Sequence, residues 1–333
     1  MSYKLSIVRL NGENFYKNSL DGFVVRQRVT QCWRKVNGKY ALAPVDYIEE
    51  WSLTERQNKA KRVVEAVKNG SAAFAAVENG EIVGLALLIN KLFGKSRQYM
   101  ELAELYVAEP CRRRGTGRLL FEKACEAAKK AGAEKLYISA HSAKESIAAY
   151  TKYGCVFAEE PSCVHVEKEP FDLQLEYDLR LRIYEADDKR KFMDLLLLAD
   201  EQADMVERYL HKGTMFILEE CGVKGEIIVT NEGNGVLEIK SLAILPEFRR
   251  RGYGRALIEF VCERYKDGFD TVQVGTGDSP LTIPFYISCG FTPSHTVKDF
   301  FTENYDHPII EAGVILKDMI YLTRKLHTTK YLQ

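Results

Sequence analysis

Two short clusters of arginine and glycine have the residue types of an anion-binding turn. They read Arg-Arg-Arg-Gly-Thr-Gly and Arg-Arg-Arg-Gly-Tyr-Gly. Glycine lets backbone N–H groups approach phosphate oxygens, neighbouring arginines add charge-assisted hydrogen bonds, and a following helix adds the positive end of its dipole. The candidate phosphate-binding residues are therefore Arg112, Arg113, Arg114, Gly115, Thr116, Gly117, Arg249, Arg250, Arg251, Gly252, Tyr253 and Gly254.

Other chemically useful residues repeat at nearly the same distance along the chain. Glu238 follows Glu101 by 137 residues, which is also the offset between the two arginine clusters. Tyr150-x-x-x-Gly154 is followed by Tyr286-x-x-x-Gly290 at an offset of 136. A single one-residue gap thus aligns three separate features, which indicates an internal duplication.

The elements that must position these residues also repeat. Residues 100–108 and 235–245 are rich in β-forming residues with partial alternation, so each predicts a strand that leads into an arginine cluster. An amphipathic helix pattern follows each Gly-x-Gly, and a short strand pattern follows each helix. Glu78-Asn79-Gly80 and Cys221-Gly222 predict hairpin turns upstream of the two copies.

We therefore expect two domains of one fold. A chain of 333 residues suits two domains of ordinary size. Residues 173–177 have the pattern of a closing strand, and residues 181–184 that of an opening strand. The predicted domains are residues 1–179 and 180–333, each of the α/β class with a mixed sheet flanked by helices.

The clusters do not fit two common phosphate-binding motifs. The dinucleotide fingerprint needs a third glycine where Leu120 and Leu257 stand, and a P-loop needs a Gly-Lys-Ser/Thr sequence that neither cluster has.

Composition argues against several classes of partner. Lys and Arg together number 47, as do Asp and Glu, so the basic excess of a nucleic-acid-binding protein is missing. No apolar run approaches 18 residues, and no apolar signal core follows residues 1–5. We expect a cytoplasmic protein that binds neither nucleic acid nor a membrane.

Cysteine and histidine spacing does not suggest a metal site. The eight cysteines form no Cys-x-x-Cys, and the histidines, His327 included, have no ligand-like spacing to acids or cysteines. We interpret both sets as structural and expect no metal.

The motifs resemble those of the GNAT superfamily of acetyl-CoA-dependent N-acetyltransferases. The resemblance rests on Arg112-x-x-Gly115-x-Gly117 and Arg249-x-x-Gly252-x-Gly254, on the strands before them, and on the two Tyr-x-x-x-Gly sequences. Each half of the chain carries one copy of the motifs, and together the two copies cover nearly the whole chain. Residues 169–177 are also similar to small-molecule GNATs of the streptothricin-acetyltransferase kind.

The resemblance implies a fold and a cosubstrate. In this family the fourth and fifth strands of a twisted sheet splay apart, and the pantetheine arm of acetyl-CoA lies between them like an added strand. Main-chain groups near Val107 and Ile244 would pair with it, and its pyrophosphate would reach the arginine and glycine turn.

The resemblance also implies catalytic roles. Glu238 and Glu101 stand where some relatives carry the general base that deprotonates the amine, with Glu104 as a competitor in the first half. Tyr286 and Tyr150 match the family tyrosine that protonates the departing CoA thiolate.

One departure from the family pattern affects the coenzyme site. Relatives often carry an asparagine that contacts CoA seven residues before the tyrosine, and here those positions are Ala143 and Ser279. Only Ser279 can still offer a hydrogen bond.

The acceptor is a small-molecule amine in this interpretation. Residues 295–311 mix four carboxylates with three aromatic residues, a combination that suits a cationic amine, although an ordinary loop has the same composition.

The sequence leaves alternatives open. One half could be catalytic and the other a scaffold, or the chain could be a non-catalytic acyl-CoA sensor. Acetylation of protein lysine also stays possible, and the oligomeric state stays unknown.

Overall fold

The computed structural model describes residues 5–326, which form two compact units that divide between Arg180 and Leu181. Each unit is built around one seven-stranded sheet, and two further strand pairs lie outside these sheets. Residues 1–4, at the start of the segment considered for a signal peptide, and His327 lie outside the described residues.

Unit 1 has the following elements. Its strands are β1 (Ser6–Arg9), β2 (Arg26–Val36), β3 (Lys39–Glu50), β4 (Ala72–Glu78), β5 (Glu81–Phe93), β6 (Tyr99–Val107), β7 (Lys135–Ala140), β8 (Val156–Phe157) and β9 (Leu173–Asp178). Its α-helices are α1 (Leu53–Lys68), α2 (Thr116–Lys130), α3 (Lys144–Tyr153) and α4 (Cys163–Lys168), with a 3₁₀ turn at Glu109–Cys111.

The sheet of unit 1 has the order β1-β4-β5-β6-β7-β9-β8. Only β6 and β7 run parallel; all the other neighbours are antiparallel. Helix α1 starts with a capping box, in which the Ser52 hydroxyl accepts from the Glu55 N–H and the Glu55 carboxylate accepts from the Ser52 N–H. Helix α2 buries one stripe, including Leu120, Ala124 and Ala128, as the amphipathic pattern predicts.

A long hairpin, β2–β3, joins unit 1 outside its main sheet. The Trp33 N–H donates to the Ser142 carbonyl at 2.8 Å, and Cys32 forms a bridge with Ala143 at the start of α3. Near the other end of the hairpin, Arg112 donates to the Arg26 carbonyl at 3.2 Å. The hairpin therefore contacts both the turn after β6 and the turn after β7.

Unit 2 repeats the plan with different accessories. Its strands are β10 (Arg182–Glu185), β11 (Thr214–Glu219), β12 (Val223–Gly233), β13 (Val236–Ile244), β14 (Thr271–Gly277), β15 (Thr292–Val297), β16 (Ile310–Glu311), β17 (Val314–Ile315) and β18 (Met319–Lys325). Its α-helices are α5 (Met193–Leu196), α6 (Ala203–Leu210), α7 (Tyr253–Tyr265), α8 (Thr282–Ser288) and α9 (Phe300–Asn304), with 3₁₀ turns at Lys189–Phe192 and Pro246–Phe248.

The sheet of unit 2 has the order β10-β11-β12-β13-β14-β18-β15, and only β13 and β14 run parallel. Its two faces bury separate cores. Ile227 and Val229 face α7 and α8, whereas Ile228 faces α5 and α6. Side chains of β12 thus alternate between the two helical layers.

The parallel strand pair of each sheet separates partway along its length. Pairing of β6 with β7 stops at Glu101 and Tyr137, although β6 continues to Val107. Pairing of β13 with β14 stops at Ile239 and Val274, although β13 continues to Ile244. The predicted pair of mixed, twisted sheets with splayed fourth and fifth strands is confirmed.

Two further features concern membranes and metal ions. Within residues 5–326, no helix is long and apolar enough to cross a membrane, and no three His, Cys, Asp or Glu side chains are grouped so that they could hold a metal ion.

Candidate active site

A β-bulge lies at the point where the parallel strands separate in both units. Glu104 lies opposite Leu87 while Leu102 lies opposite Leu88, so Ala103 is an extra residue in β6. Lys240 is the corresponding extra residue in β13. A bulge bends its strand and increases its twist, which turns β6 and β13 away from their parallel neighbours. Beyond the bulge, the edge of each strand that faces its parallel neighbour is paired with no described strand.

The arginine and glycine turn lies at the end of each free edge. Gly115 (φ 85°) and Gly252 (φ 88°) adopt the left-handed conformation immediately before α2 and α7, and Arg113 and Arg250 are left-handed as well. Such turns direct successive N–H groups to one side, and the first N–H groups of a helix have no partner within the helix. Each turn can therefore bind an anion through its backbone.

The first arginine of each cluster ties the turn to its strand. Arg112 Nε donates to the Val107 carbonyl at 3.1 Å, and Arg249 Nε donates to the Ile244 carbonyl at the same distance. These two guanidinium groups therefore position the turn. They do so at Val107 and Ile244, the residues predicted to pair with the pantetheine arm.

The remaining side chains of the turns differ in direction. Arg114 reaches the Glu78 carboxylate at 3.4 Å, and Arg251 lies over the Phe248 ring. Thr116 is buried, and the Tyr253 hydroxyl donates to Glu220 at 2.5 Å. Thr116 and Tyr253 therefore offer a phosphate their backbone N–H groups.

The last glycine of each motif allows a close helix contact. A Cβ at Gly117 would lie 2.7 Å from the Tyr153 hydroxyl, and one at Gly254 would lie 3.0 Å from Cζ of Phe285. These glycines thus let the helix that follows each turn approach α3 or α8, the helices that carry Tyr150 and Tyr286.

Tyr286 is buried against Phe285 and Phe291. Burial raises the pKa of its hydroxyl well above the ordinary value, and the charges of Cys289, Glu226 and Glu311 raise it further. Tyr286 is therefore protonated at neutral pH and can donate a proton.

Tyr150 has a similar setting in unit 1. Its ring contacts Phe121 and Tyr153. Burial raises its pKa, and the charges of Cys155, Tyr153, Glu104 and Asp172 add to the shift. Tyr286 is thus a buried phenol and Tyr150 a half-buried one, and both lie close to carboxyl groups.

The sequence-predicted bases lie where strand pairing ends. Glu101 pairs in register with Tyr137 and lies 3.3 Å from His165 Nε2, a contact that chain spacing did not predict. Glu238 accepts hydrogen bonds from Lys240 Nζ at 2.7 Å and from Gln273 Nε2 at 2.5 Å. Glu101 is not among the groups that raise the pKa of Tyr150, and Glu238 is not among those that raise the pKa of Tyr286.

Glu104, the alternative base in unit 1, is buried on β6. Its carboxylate accepts from Lys59 Nζ at 2.8 Å and from Arg62 Nη1 at 2.7 Å. Two cations from α1 therefore hold it in place.

The two positions that replace the family asparagine differ as predicted in their side chains. The buried Ser279 hydroxyl accepts from the Leu281 N–H at 3.1 Å and keeps its own proton to donate. Ala143 is fully buried beneath the β2–β3 hairpin together with Val29 and Cys32.

Unit 1 gathers acidic groups around Tyr150. Burial raises the pKa of Asp172 to about 7, and the neighbouring carboxylates of Glu169 and Glu49 add to the shift while Arg34 opposes it. Asp172 and Glu169 belong to the segment with streptothricin-acetyltransferase-like sequence.

In unit 2, the acid- and aromatic-rich segment at residues 295–311 is partly self-packed. Phe301 packs with Ile309 and Leu316, while the Tyr305 hydroxyl donates to Asp200 at 3.1 Å.

Sequence reasoning missed Glu226 on β12. It is fully buried, and the Ser241 hydroxyl donates to its Oε1 at 2.6 Å. Burial raises its pKa to about 8, against the opposing hydrogen bonds from Ser241 and the Ala243 N–H. The one available signal is an acidic residue between Gly225 and an apolar run.

Two family models match the chain. The acetyltransferase (GNAT) family matches residues 36–155, and the acetyltransferase (GNAT) domain matches residues 211–293. Each match contains one arginine and glycine turn and one of the two tyrosines.

Individual proteins are also similar to parts of the chain. The uncharacterized N-acetyltransferase YvbK of Bacillus subtilis (strain 168) is 34% identical over 134 residues, covering 39% of this chain and 85% of that protein. Among solved structures, an IAA acetyltransferase from Bacillus cereus ATCC 14579 is 28% identical, with 44% of this chain and 100% of that chain covered and a TM-score of 0.43. A GNAT family acetyltransferase from Elizabethkingia anophelis with acetyl-CoA bound is 29% identical, with 44% and 98% covered and a TM-score of 0.42.

Proposed function

The chain belongs to the GNAT acetyltransferase family, and we propose that it transfers the acetyl group of acetyl-CoA to a primary amine of a small molecule. Acetyl-CoA and the amine are bound together, and the amine nitrogen attacks the thioester carbon directly. The observation that carries this proposal is the combination, in each unit, of a free strand edge with an anion-binding turn at its end.

The residues present fit acetyl-CoA. Amide groups of the pantetheine arm can extend the sheet from the free edge of β6 or β13, as an added strand does. The pyrophosphate then meets the N–H groups at Gly115 or Gly252 and the neighbouring arginines. No metal is required for this binding mode.

The attacking amine must lose a proton first. A lysine-like amine with a pKa near 10.4 is about 0.04% neutral at pH 7, which handicaps the reaction by roughly 4.6 kcal/mol. A carboxylate beside the ammonium group removes this handicap by accepting the proton. The sequence-based candidates for this role are Glu101 in unit 1 and Glu238 in unit 2.

The leaving thiolate must gain a proton. Tyr286 and Tyr150 are the proposed donors, because each keeps its proton at neutral pH. The C–S bond breaks as the phenol proton moves to sulfur, and the phenolate then takes the remaining surplus proton from the new amide nitrogen. The net products are the acetamide, CoA thiol and one proton.

Acidic groups near the tyrosines support a cationic acceptor. In unit 1, Glu49, Glu169 and Asp172 lie near enough to act on one another electrostatically, and Asp172 acts on Tyr150. In unit 2, Glu226 and Glu311 act on Tyr286. Carboxylates grouped in this way attract an ammonium group.

The test is transfer of labelled acetyl from acetyl-CoA to a panel of n-butylamine, 2-phenylethylamine, spermidine and a lysine-containing peptide, with release of CoA thiol as the second readout. We expect acetylation of at least one small amine. Tyr286→Phe and Tyr150→Phe should each cut turnover in their own unit by about 10²–10⁴ and leave CoA affinity nearly unchanged.

Each alternative gives a different result. A single tyrosine variant that removes all turnover identifies one catalytic unit and one scaffold unit. CoA binding without acetylation of any amine contradicts the proposed reaction and favours an acyl-CoA sensor. Acetylation of the peptide alone contradicts the small-molecule acceptor.

A further inference from the structure

A buried carboxyl group in unit 2 has an oxygen without a hydrogen-bond partner. Glu226 is fully buried, and its Oε1 accepts from Ser241. Across residues 5–326, no group donates a hydrogen bond to its Oε2. An unsatisfied buried carboxyl oxygen is costly, so a ligand that brings a hydrogen-bond donor would be favoured at this position.

A second unsatisfied polar atom lies nearby. The hydroxyl of Tyr209 on α6 is buried and makes no hydrogen bond of good geometry within residues 5–326, although Ser241 lies close enough to lower its pKa. Burial raises the pKa of Tyr209, and the charges of Asp200 and Glu226 raise it further. Glu226 and Tyr209 therefore lie close enough to interact.

Glu226 also acts on the opposite face of the sheet. Tyr209 packs in the core beneath α5 and α6, whereas Tyr286 packs in the core beneath α7 and α8. The charge of Glu226 raises the pKa of both tyrosines. Its carboxyl group, opposite Ala243 on β13, is therefore close enough to act on groups that pack on both faces of the sheet.

We infer, on the basis of the proposed function, that Glu226 in its ionised form binds the ammonium group of the acceptor in unit 2 and accepts its proton. An ammonium group brings three N–H donors, and Glu226 Oε2 is an open acceptor for one of them. The proton moves from nitrogen to Oε2, and the freed lone pair attacks the thioester carbon. Glu226 returns the proton to solvent after the acetamide leaves.

The electrostatic setting of Glu226 suits this step. Burial raises its pKa to about 8, which narrows the gap to an aliphatic ammonium group and makes the proton transfer less unfavourable than it is for an ordinary glutamate. The charge of Glu226 acts on Tyr209 on α6 and on Tyr286 on α8, and Asp200 and Glu311 act on one or the other of these tyrosines. None of these is a cation that would hold Glu226 ionised.

Glu238, the sequence-based candidate, has no such open oxygen. Its carboxylate accepts from both Lys240 and Gln273. It also lies at the paired end of β13, whereas Glu226 lies opposite Ala243, beyond the point where β13 and β14 separate.

In unit 1 the position of Glu226 is occupied by Leu85, and the buried carboxyl Glu104 corresponds instead to Ser241. Glu104 faces Leu87 across the sheet, as Ser241 faces Ile228 in unit 2. Lys59 and Arg62 hold Glu104 as an ion pair. Of these two carboxyl groups, only Glu226 therefore has an oxygen without a hydrogen-bond partner.

The experiment measures acetyl transfer in a Tyr150→Phe chain, so that unit 2 supplies the turnover. The acceptor is whichever of n-butylamine, 2-phenylethylamine and spermidine the wild-type chain acetylates fastest. Glu226→Gln keeps the shape of the side chain and its hydrogen bond from Ser241. We expect kcat/KM to fall by about 10²–10⁴ at pH 7.5 and by less than about tenfold at pH 10.5, where free amine is abundant.

Two matched variants separate this role from structural effects. Glu219→Gln removes another buried carboxyl from the same sheet, on β11, and should leave kcat/KM within about twofold of the parent chain. Glu238→Gln should cost less than Glu226→Gln at pH 7.5. The thermal unfolding midpoint of each variant verifies that it is folded.

Three results would overturn the inference. Glu226→Gln could keep the parent rate at pH 7.5, its loss could be equal at every pH, or Glu238→Gln could show the larger and pH-dependent loss. A Tyr150→Phe chain without turnover, beside an active wild type, would also overturn it, because unit 2 would then not be catalytic. If the wild-type chain acetylates no amine at all, it is the proposed function that fails.

Discussion

At the residue scale, a buried carboxyl without a cationic partner makes stability depend on pH, and Glu226 is such a group. Its pKa is 4.5 in an exposed setting and about 8 in the folded chain. The folded state thus holds the proton more tightly than the unfolded state does. The contribution of the neutral carboxyl to the free energy of unfolding is therefore complete below about pH 4.5 and is lost as pH rises through about 8.

Glu226→Gln removes this dependence because an amide does not ionise. Urea denaturation at pH 5 and pH 9 should show the variant close to wild type at pH 5. At pH 9 it should be more stable by at least about 1.4 kcal/mol, the equivalent of one pKa unit. A stability difference that is the same at both pH values would contradict a raised pKa for this buried carboxyl.

Glu259→Gln is the control of opposite sign. The hydrogen bond from Arg324 lowers the pKa of Glu259, so its contribution to stability is present above the unfolded pKa and is lost on acidification. The Gln variant should therefore be less stable than wild type at pH 9, and the difference should shrink toward pH 4.

The same scale shows why most residues of the candidate site could be proposed from the sequence and Glu226 could not. The arginines, glycines and tyrosines of the two motifs repeat along the chain, so duplication alone reveals them. The position of Glu226 depends on strand register, which brings it diagonally beside Ser241 on the neighbouring strand. Spacing along one strand carries no information about its neighbour.

At the element scale, the strand, turn and helix around each motif followed from local patterns because left-handed glycines and amphipathic stripes are local signals. The β2–β3 hairpin was missed, although Asn37-Gly38 has the residues and positive φ angles of a tight hairpin turn. The splay has no local sequence signal, because an extra residue such as Lys240 is defined only against its partner strand.

The turn before α7 gives an element-scale prediction. Gly252 has φ 88° and open space around its missing Cβ, so Gly252→Ala introduces left-handed strain without a clash. It should lower the free energy of unfolding by about 1–2 kcal/mol and weaken CoA binding, because relief of the strain redirects the N–H groups of the turn. Urea denaturation and calorimetry with CoA measure the two effects.

Gly268→Ala is the matched control in the same unit. Gly268 also has open space around it, but its φ is not positive. This variant should stay within about 0.5 kcal/mol of wild type and bind CoA normally. Equal effects of the two substitutions would contradict a special role for the left-handed glycine.

At the scale of the whole molecule, the two units resemble each other more closely in the features proposed to bind the coenzyme than in those proposed to bind the acceptor. The turns, free edges and tyrosines occur in both units, whereas the buried carboxyls near them come from β6 in unit 1 and from β12 in unit 2. We therefore expect coenzyme binding to be alike in the two units and acceptor binding to differ. The two units are accordingly expected to share acetyl-CoA and to differ in their preferred amines.

Calorimetry with CoA should therefore give about two binding sites per chain. Gly115→Asp and Gly252→Asp each place a carboxylate in the open space at one turn, where it repels the pyrophosphate, and Asp tolerates the left-handed conformation better than most residues. Each variant should remove one site and leave the other, since each turn is built within its own unit and independent changes usually add. If wild type binds a single CoA, unit 2 should hold it, because Ser279 can donate a hydrogen bond and the buried Ala143 cannot. A single site that disappears with Gly115→Asp alone would reverse this ranking of the units.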